Sequence, residues 1–198
     1  MEKTATTIPT GRWQTSEPLL ELLVTLPLFE LPDAQGQVHR YPRRHRRRAL
    51  VLYGAERGDC PACRAYLTAL AALAPQIAAE EAELVVVVHG QPATAAPLQT
   101  VVGAAGTVLF DPDGRVFRRW GAVDPAGQPV AALFVADRFG TLYARALAGP
   151  DHALPPAAEV VDWLRFINKN KYSVPGVRRG RVAGRAGVAT QSSSRRSA

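Results

Sequence analysis

The chain has 198 residues, 47% of them hydrophobic and 21% charged, with a formal net charge of +7. That is enough apolar material for a core, so the whole chain is not a disordered polymer, and no apolar run approaches the roughly 18–20 residues of a bilayer span. The charge is uneven: residues 40–48 hold six Arg and residues 163–198 nine Lys/Arg, neither with an acid, while the other nine basic residues face all 17 acidic ones, a net of −8.

Met1 to about Thr15 is polar and aperiodic and reads as a loose arm, and Pro18 to Leu26 as a short helix or an irregular lead-in. Phe29 to Val38 alternates and then turns through Asp33 and Gly36, the pattern of a small β-hairpin. The Arg run follows, with Arg43, Arg44, Arg46, Arg47 and Arg48 around His45. No aromatic platform accompanies it, so a solvated loop is the expectation. Ala49 to Tyr53 is continuously apolar, as in a strand buried on both faces. After a turn at 54–59, a helix is predicted from Cys60, with Tyr66, Leu70, Leu73 and Ile77 on one face and Pro75 bending it late or marking its last turns.

Glu83 to Val88 contains four consecutive Val and predicts a second buried strand. Residues 93–102 read as a helix ending at Gly103, and Thr107 to Phe110 as a strand closed by the turn Asp111-Pro112-Asp113-Gly114. One or two helical turns follow to Trp120. Ala131 to Ala136 and Thr141 to Leu147 form a closing hairpin around Asp137-Arg138-Phe139-Gly140. Pro155-Pro156 opens a last helix striped by Val160, Val161, Leu164 and Ile167, on which Trp163 and Phe166 are packing residues. Strands alternating with helices predict an α/β sheet covered on both faces. The expected organisation is an arm over 1–26, a domain over 27–171 and a basic disordered tail over 172–198.

Cys60-Pro61-Ala62-Cys63 stands where a buried strand turns into an amphipathic helix. Free N–H groups and the positive end of a helix dipole stabilise a thiolate there, which predicts Cys60 as an exposed nucleophile. Cys63, one turn on and more buried, is placed to attack a mixed disulfide on Cys60. Asp59 opposes such a thiolate and Arg57 and Arg64 favour it, so the sequence gives no net direction. A metal site needs about four ligands, and His39, His45, His89 and His152 are scattered without paired spacing, so no metal and no cofactor are expected. A structural pair of buried cysteines is the remaining alternative. No Ser-His-Asp set, phosphate loop or paired-carboxylate motif is present.

Phe29 to Leu147 resembles the thioredoxin-like redoxins, meaning the alkyl hydroperoxide reductase/thiol-specific antioxidant (peroxiredoxin-like) group and related bacterial thiol-disulfide oxidoreductases. The likeness rests on Phe29-Glu30-Leu31-Pro32-Asp33 with Gly36, on Leu50 to Tyr53 leading to Cys60-Pro61-Ala62-Cys63-Arg64, on Phe110 to Gly114, and on Leu133 to Gly140. It implies a thioredoxin-like α/β fold, a central mixed β-sheet flanked by helices with an N-terminal β-hairpin extension, with Cys60 as nucleophile and Cys63 as resolving cysteine. Peroxiredoxins of the usual type carry Pro and Thr seven and three residues before the peroxidatic Cys, where this chain has Tyr53 and Arg57. Thioredoxins carry Trp before the first Cys and a cis-Pro at the late strand, where this chain has Asp59 and Ala131.

The function expected is thiol-disulfide exchange in cell redox homeostasis. A thiol-dependent peroxidase passing through a Cys60 sulfenic acid is one alternative, and a redoxin scaffold binding through its basic segments is another. The expected partners are a disulfide-containing protein or a small thiol or peroxide, and an external thiol reductant. Weak, salt-sensitive nucleic-acid contact through the basic segments is a lesser expectation. The lack of a signal pattern or membrane span sets a cytoplasmic location as the expectation.

Overall fold

The computed structural model describes Trp13 and residues 25–41 and 48–170. Most of the predicted arm, the Arg run except Arg48, and the basic tail lie outside the described residues. Seven strands and five α-helices follow in order: β1 (Phe29–Pro32), β2 (Val38–Tyr41), β3 (Ala49–Ala55), α1 (Pro61–Ala72), α2 (Ala74–Ala79), β4 (Ala82–His89), α3 (Ala96–Val102), β5 (Gly106–Asp111), α4 (Arg115–Arg119), β6 (Ala132–Ala136), β7 (Leu142–Leu147) and α5 (Glu159–Lys169).

The main sheet has the order β5-β4-β3-β6-β7. β3, β4 and β5 run parallel, and β6 and β7 are antiparallel additions on the other side of β3. The continuous apolar runs follow from this placement: β3 is buried along all seven residues, because helices or loops cover both of its faces. Alternation then sorts its side chains. Val51, Tyr53 and Ala55 join Leu67, Leu70, Leu98, Val161 and Leu164 from the helices, whereas Leu50 and Leu52 join Phe29, Leu31, Phe117, Trp120 and Phe134. The separate β1–β2 hairpin covers the second face, with Phe29 stacked on Tyr41 at 5.7 Å and edge-on to Trp120 at 5.1 Å.

Four local expectations need correction. The helix from Cys60 does not bend at Pro75 but stops at Ala72, and α2 restarts with Pro75 in its first turn, where a missing N–H costs nothing. The segment at 93–102 splits into a 3-10 turn at Pro92–Thr94 and α3 from Ala96. The last helix begins at Glu159 rather than at the proline pair. Trp13, assigned to a loose arm, is buried: its indole N–H donates to Glu159 at 2.7 Å and its ring meets Trp163 edge-on at 6.0 Å. Trp163 and Phe166 do pack, as expected, 5.7 Å apart.

Among the described residues no helix is long and apolar enough to cross a membrane.

Candidate active site

The carboxyl end of β3 lies between β4 and β6, an edge where open α/β sheets expose backbone groups to ligands. The chain leaves β3 at Ala55, turns through residues 56–59 and enters α1 at Pro61, which suits the first helical position. Gly58 makes the turn possible: a Cβ on it would lie 2.4 Å from the Thr94 carbonyl oxygen, so only glycine lets the turn pack against the Pro92–Thr94 segment. Arg57 and Asp59 sit exposed on this turn and pair with each other at 3.5 Å.

Cys60 is the residue capping α1. Its backbone is extended (φ −65°, ψ 117°), and its Sγ accepts the Cys63 backbone N–H at 3.2 Å. The sequence reading thus placed the sulfur correctly at the helix N-terminus, where free N–H groups and the dipole favour negative charge. Its exposure was misjudged: Cys60 is 2% exposed and Cys63 1%, so the two are buried alike. Both are free thiols. Burial is the main influence pushing the Cys63 thiol up to about 12, and the Cys60 side chain acts in the same direction.

Tyr53 and Glu56 complete the surroundings, and neither was singled out as a site residue. The Tyr53 hydroxyl and the Glu56 backbone both act on the Cys63 thiol against the upward shift. Burial holds the Tyr53 phenol itself well above its ordinary value. Its ring stacks on Tyr66 at 5.5 Å, and the Tyr66 hydroxyl donates to the Pro155 carbonyl at 2.7 Å. The signal for Tyr53 was its parity in β3, which puts it on the same face as Val51 and Ala55, under α1.

The Glu56 side chain is 15% exposed, and a carboxylate oxygen and the two sulfurs all lie within 4.8 Å of one another. Two histidines that looked scattered converge on this residue. His152 Nδ1 is 3.4 Å from Glu56 Oε2, and His89 Nδ1 is 3.2 Å from its backbone oxygen. His152 holds a positive φ of 52°, uncommon for a residue with a Cβ. His39 instead belongs to the hairpin, 2.7 Å from Asp33, and His45 lies outside the described residues. A cavity of about 640 Å³ lies beside Glu56, His89 and His152, its lining also including Arg57, Asp124 and Pro129. The arrangement brings two thiols and a carboxylate together, with an imidazole beside the carboxylate.

No curated protein matches the chain. Among solved structures it is similar to the peroxidoxin BcpB of Mycobacterium tuberculosis (21% identity, TM-score 0.62, covering 73% of this chain and 96% of that one). It is also similar to a DsbE-type thiol:disulfide interchange protein of Chlorobium tepidum (20%, TM-score 0.57, 73% and 94%) and to AhpC of Enterococcus faecalis (18%, TM-score 0.62, 76% and 95%). These likenesses carry the fold, which is thioredoxin-like with the hairpin extension that the sequence implied. The family model described as AhpC/TSA family matches residues 24–145, from the lead-in to β1 through the cysteines and into β7. With more than half of its length inside that pattern, the chain belongs to the AhpC/TSA family.

Proposed function

We propose that this chain is a thiol-disulfide oxidoreductase whose redox unit is the predicted 27–171 domain, with Cys60 as nucleophile and Cys63 as resolving cysteine. The observation that carries the reading is the Cys60 Sγ at the helix N-terminus, accepting the N–H of the cysteine meant to resolve it. Family membership supports a thiol oxidoreductase in general; the assignment of steps rests on this geometry.

In the first step the Cys60 thiolate attacks one sulfur of a substrate disulfide. The substrate S–S bond breaks, its other half leaves as a thiolate that takes up a proton, and Cys60 is left in a mixed disulfide. In the second step Cys63 gives up its proton, and its thiolate attacks Cys60 Sγ. The second substrate thiol leaves, and an external dithiol reduces the resulting Cys60–Cys63 bond. The Glu56 carboxylate is the acceptor placed for the Cys63 proton. Keeping Cys63 a thiol until then suppresses its own attack on substrates. Cys60 is 2% exposed, so a local movement must uncover its sulfur before a disulfide reaches it.

Tyr53 and Arg57 at the places of the usual peroxiredoxin Pro and Thr put disulfide exchange ahead of peroxide reduction. The test is trapping. Cys63→Ser incubated with disulfide-bearing extracts accumulates reducible mixed disulfides, and Cys60→Ser does not; wild-type activity in both single variants would sink the assignment. A sulfenic acid captured on Cys60 after stoichiometric peroxide would favour the peroxidase reading instead.

A further inference from the structure

We propose that the reduced cysteine pair and Glu56 form a binding site for one zinc-like divalent cation per chain. The site rests on two observations. The Cys60 and Cys63 sulfurs and a Glu56 carboxylate oxygen all lie within 4.8 Å of one another. The elements carrying them are held in place: Cys60 as the cap of α1, Cys63 one turn into that helix, and Glu56 at the end of β3 with its other contacts to His152. An ion with bonds of about 2.3 Å to sulfur and about 2.1 Å to oxygen needs ligand atoms about 3.5–3.8 Å apart. The present spacing therefore has to contract by up to about 1.3 Å, which small rotations of the Glu56 and cysteine side chains can supply.

The donor set selects the cation. Two thiolates and one carboxylate suit a borderline-soft ion and not calcium or magnesium, which take oxygen ligands. A divalent ion leaves one net negative charge in a buried site, and the α1 N-terminus offsets it. A monovalent ion would leave two. His152, 3.4 Å from the carboxylate, orients Glu56 as an outer-shell partner, and a water from the adjoining cavity takes the fourth position. Each bound ion displaces the thiol protons to the buffer. A Cys60–Cys63 disulfide removes both thiolates, so oxidation and metal occupancy exclude each other; only this coupling rests on the proposed redox function.

Cobalt(II) is the probe, titrated into the reduced full-length chain under anaerobic conditions, with zinc as competitor. The expected result is one ion per chain with sulfur-to-cobalt charge-transfer absorption, displaced by zinc. Oxidised protein is expected to bind none, and Glu56→Gln to bind at least about tenfold more weakly. His152→Ala should weaken binding less than Glu56→Gln does. Half an ion per chain with dimer formation would mean that four cysteines of two copies hold the metal, and would overturn the site. Unchanged affinity in Glu56→Gln, checked for its fold by circular dichroism, would overturn it as well, as would binding weaker than millimolar. Disulfide exchange is assayed separately on metal-free protein, so a failure of the proposed function leaves the cobalt result readable.

Discussion

Two strand-to-helix junctions stand at the same edge of the sheet, β3 into α1 and β5 into α4, and they solve one problem with different atoms. At the second, Asp111 reaches across the Asp111–Gly114 turn. One carboxylate oxygen accepts the Arg115 N–H at 3.1 Å, and the other accepts those of Val116 and Phe117 at 2.7 and 3.2 Å. Asp111 is 1% exposed and the one buried charged residue among those described. At the first junction a sulfur takes the acceptor's place and receives one N–H, that of Cys63. Both sites collect unpartnered helix donors on a side-chain acceptor. A carboxylate there can only anchor; a sulfur can also exchange its bond. The poorer cap, flanked by Glu56 and a cavity, is the one suited to chemistry.

The largest effect expected from breaking this comparison is on activity. Cys60→Ser keeps an oxygen acceptor at the cap, so stability should change by less than about 1 kcal/mol, while disulfide exchange should fall by at least about a thousandfold. Urea unfolding and an insulin-reduction assay measure the two. A large stability loss in this variant would mean that Cys60 is a structural residue, like Asp111.

The reverse substitution should invert the pattern. Asp111→Ala leaves two buried N–H groups and a half-buried one without acceptors and should cost about 3 kcal/mol in urea unfolding, with exchange activity per folded molecule unchanged. Asp111→Asn retains one oxygen and should cost less. Next in size is Gly58→Ala, whose methyl meets Thr94 backbone rather than a yielding side chain. About 1–2 kcal/mol is expected, together with slower exchange, because the turn that carries Glu56 and Arg57 moves. An unaffected rate would show that the turn does not position the pair.

These sites were unequally legible in the sequence. β3, β4 and β6 could be read because burial on both faces writes continuous apolar runs, and the cysteine pair because strand, turn and helix follow in order. The turns were legible through Asp and Gly: Asp33-Ala34-Gln35-Gly36, Asp111 to Gly114 and Asp137 to Gly140 each place a glycine at positive φ. Asp124-Pro125-Ala126-Gly127 repeats the pattern and went unread. The burial of Cys60 was not legible, because it depends on tertiary packing around the helix start and not on local pattern. The gathering of Glu56, His89 and His152 was not legible either, since β3, β4 and the loop after β7 meet only through the sheet order.

The turn pattern carries the smallest prediction, and it asks whether a turn aspartate acts as an anchor when it is not buried like Asp111. In the β1–β2 hairpin, Asp33 Oδ1 accepts the N–H groups of Gln35 and Gln37, each at 2.9 Å, and Oδ2 lies 2.7 Å from His39 Nε2. The His39 hydrogen bond is the leading cause holding the Asp33 carboxyl below its ordinary value of 3.8. A folded pKa below the unfolded one means that the unfolded chain takes up the proton first as acid is added. The contribution of Asp33 is therefore complete above the unfolded value and lost as pH falls through the lower folded one. Carbon-detected NMR titration should place the Asp33 midpoint below 3.8, and Asp33→Asn should remove this part of the acid dependence of Gln35 and Gln37 amide exchange. A midpoint at or above 3.8 would show that the hairpin holds its shape by Phe29 and Tyr41 packing alone, and that anchoring by aspartate requires the burial found at Asp111.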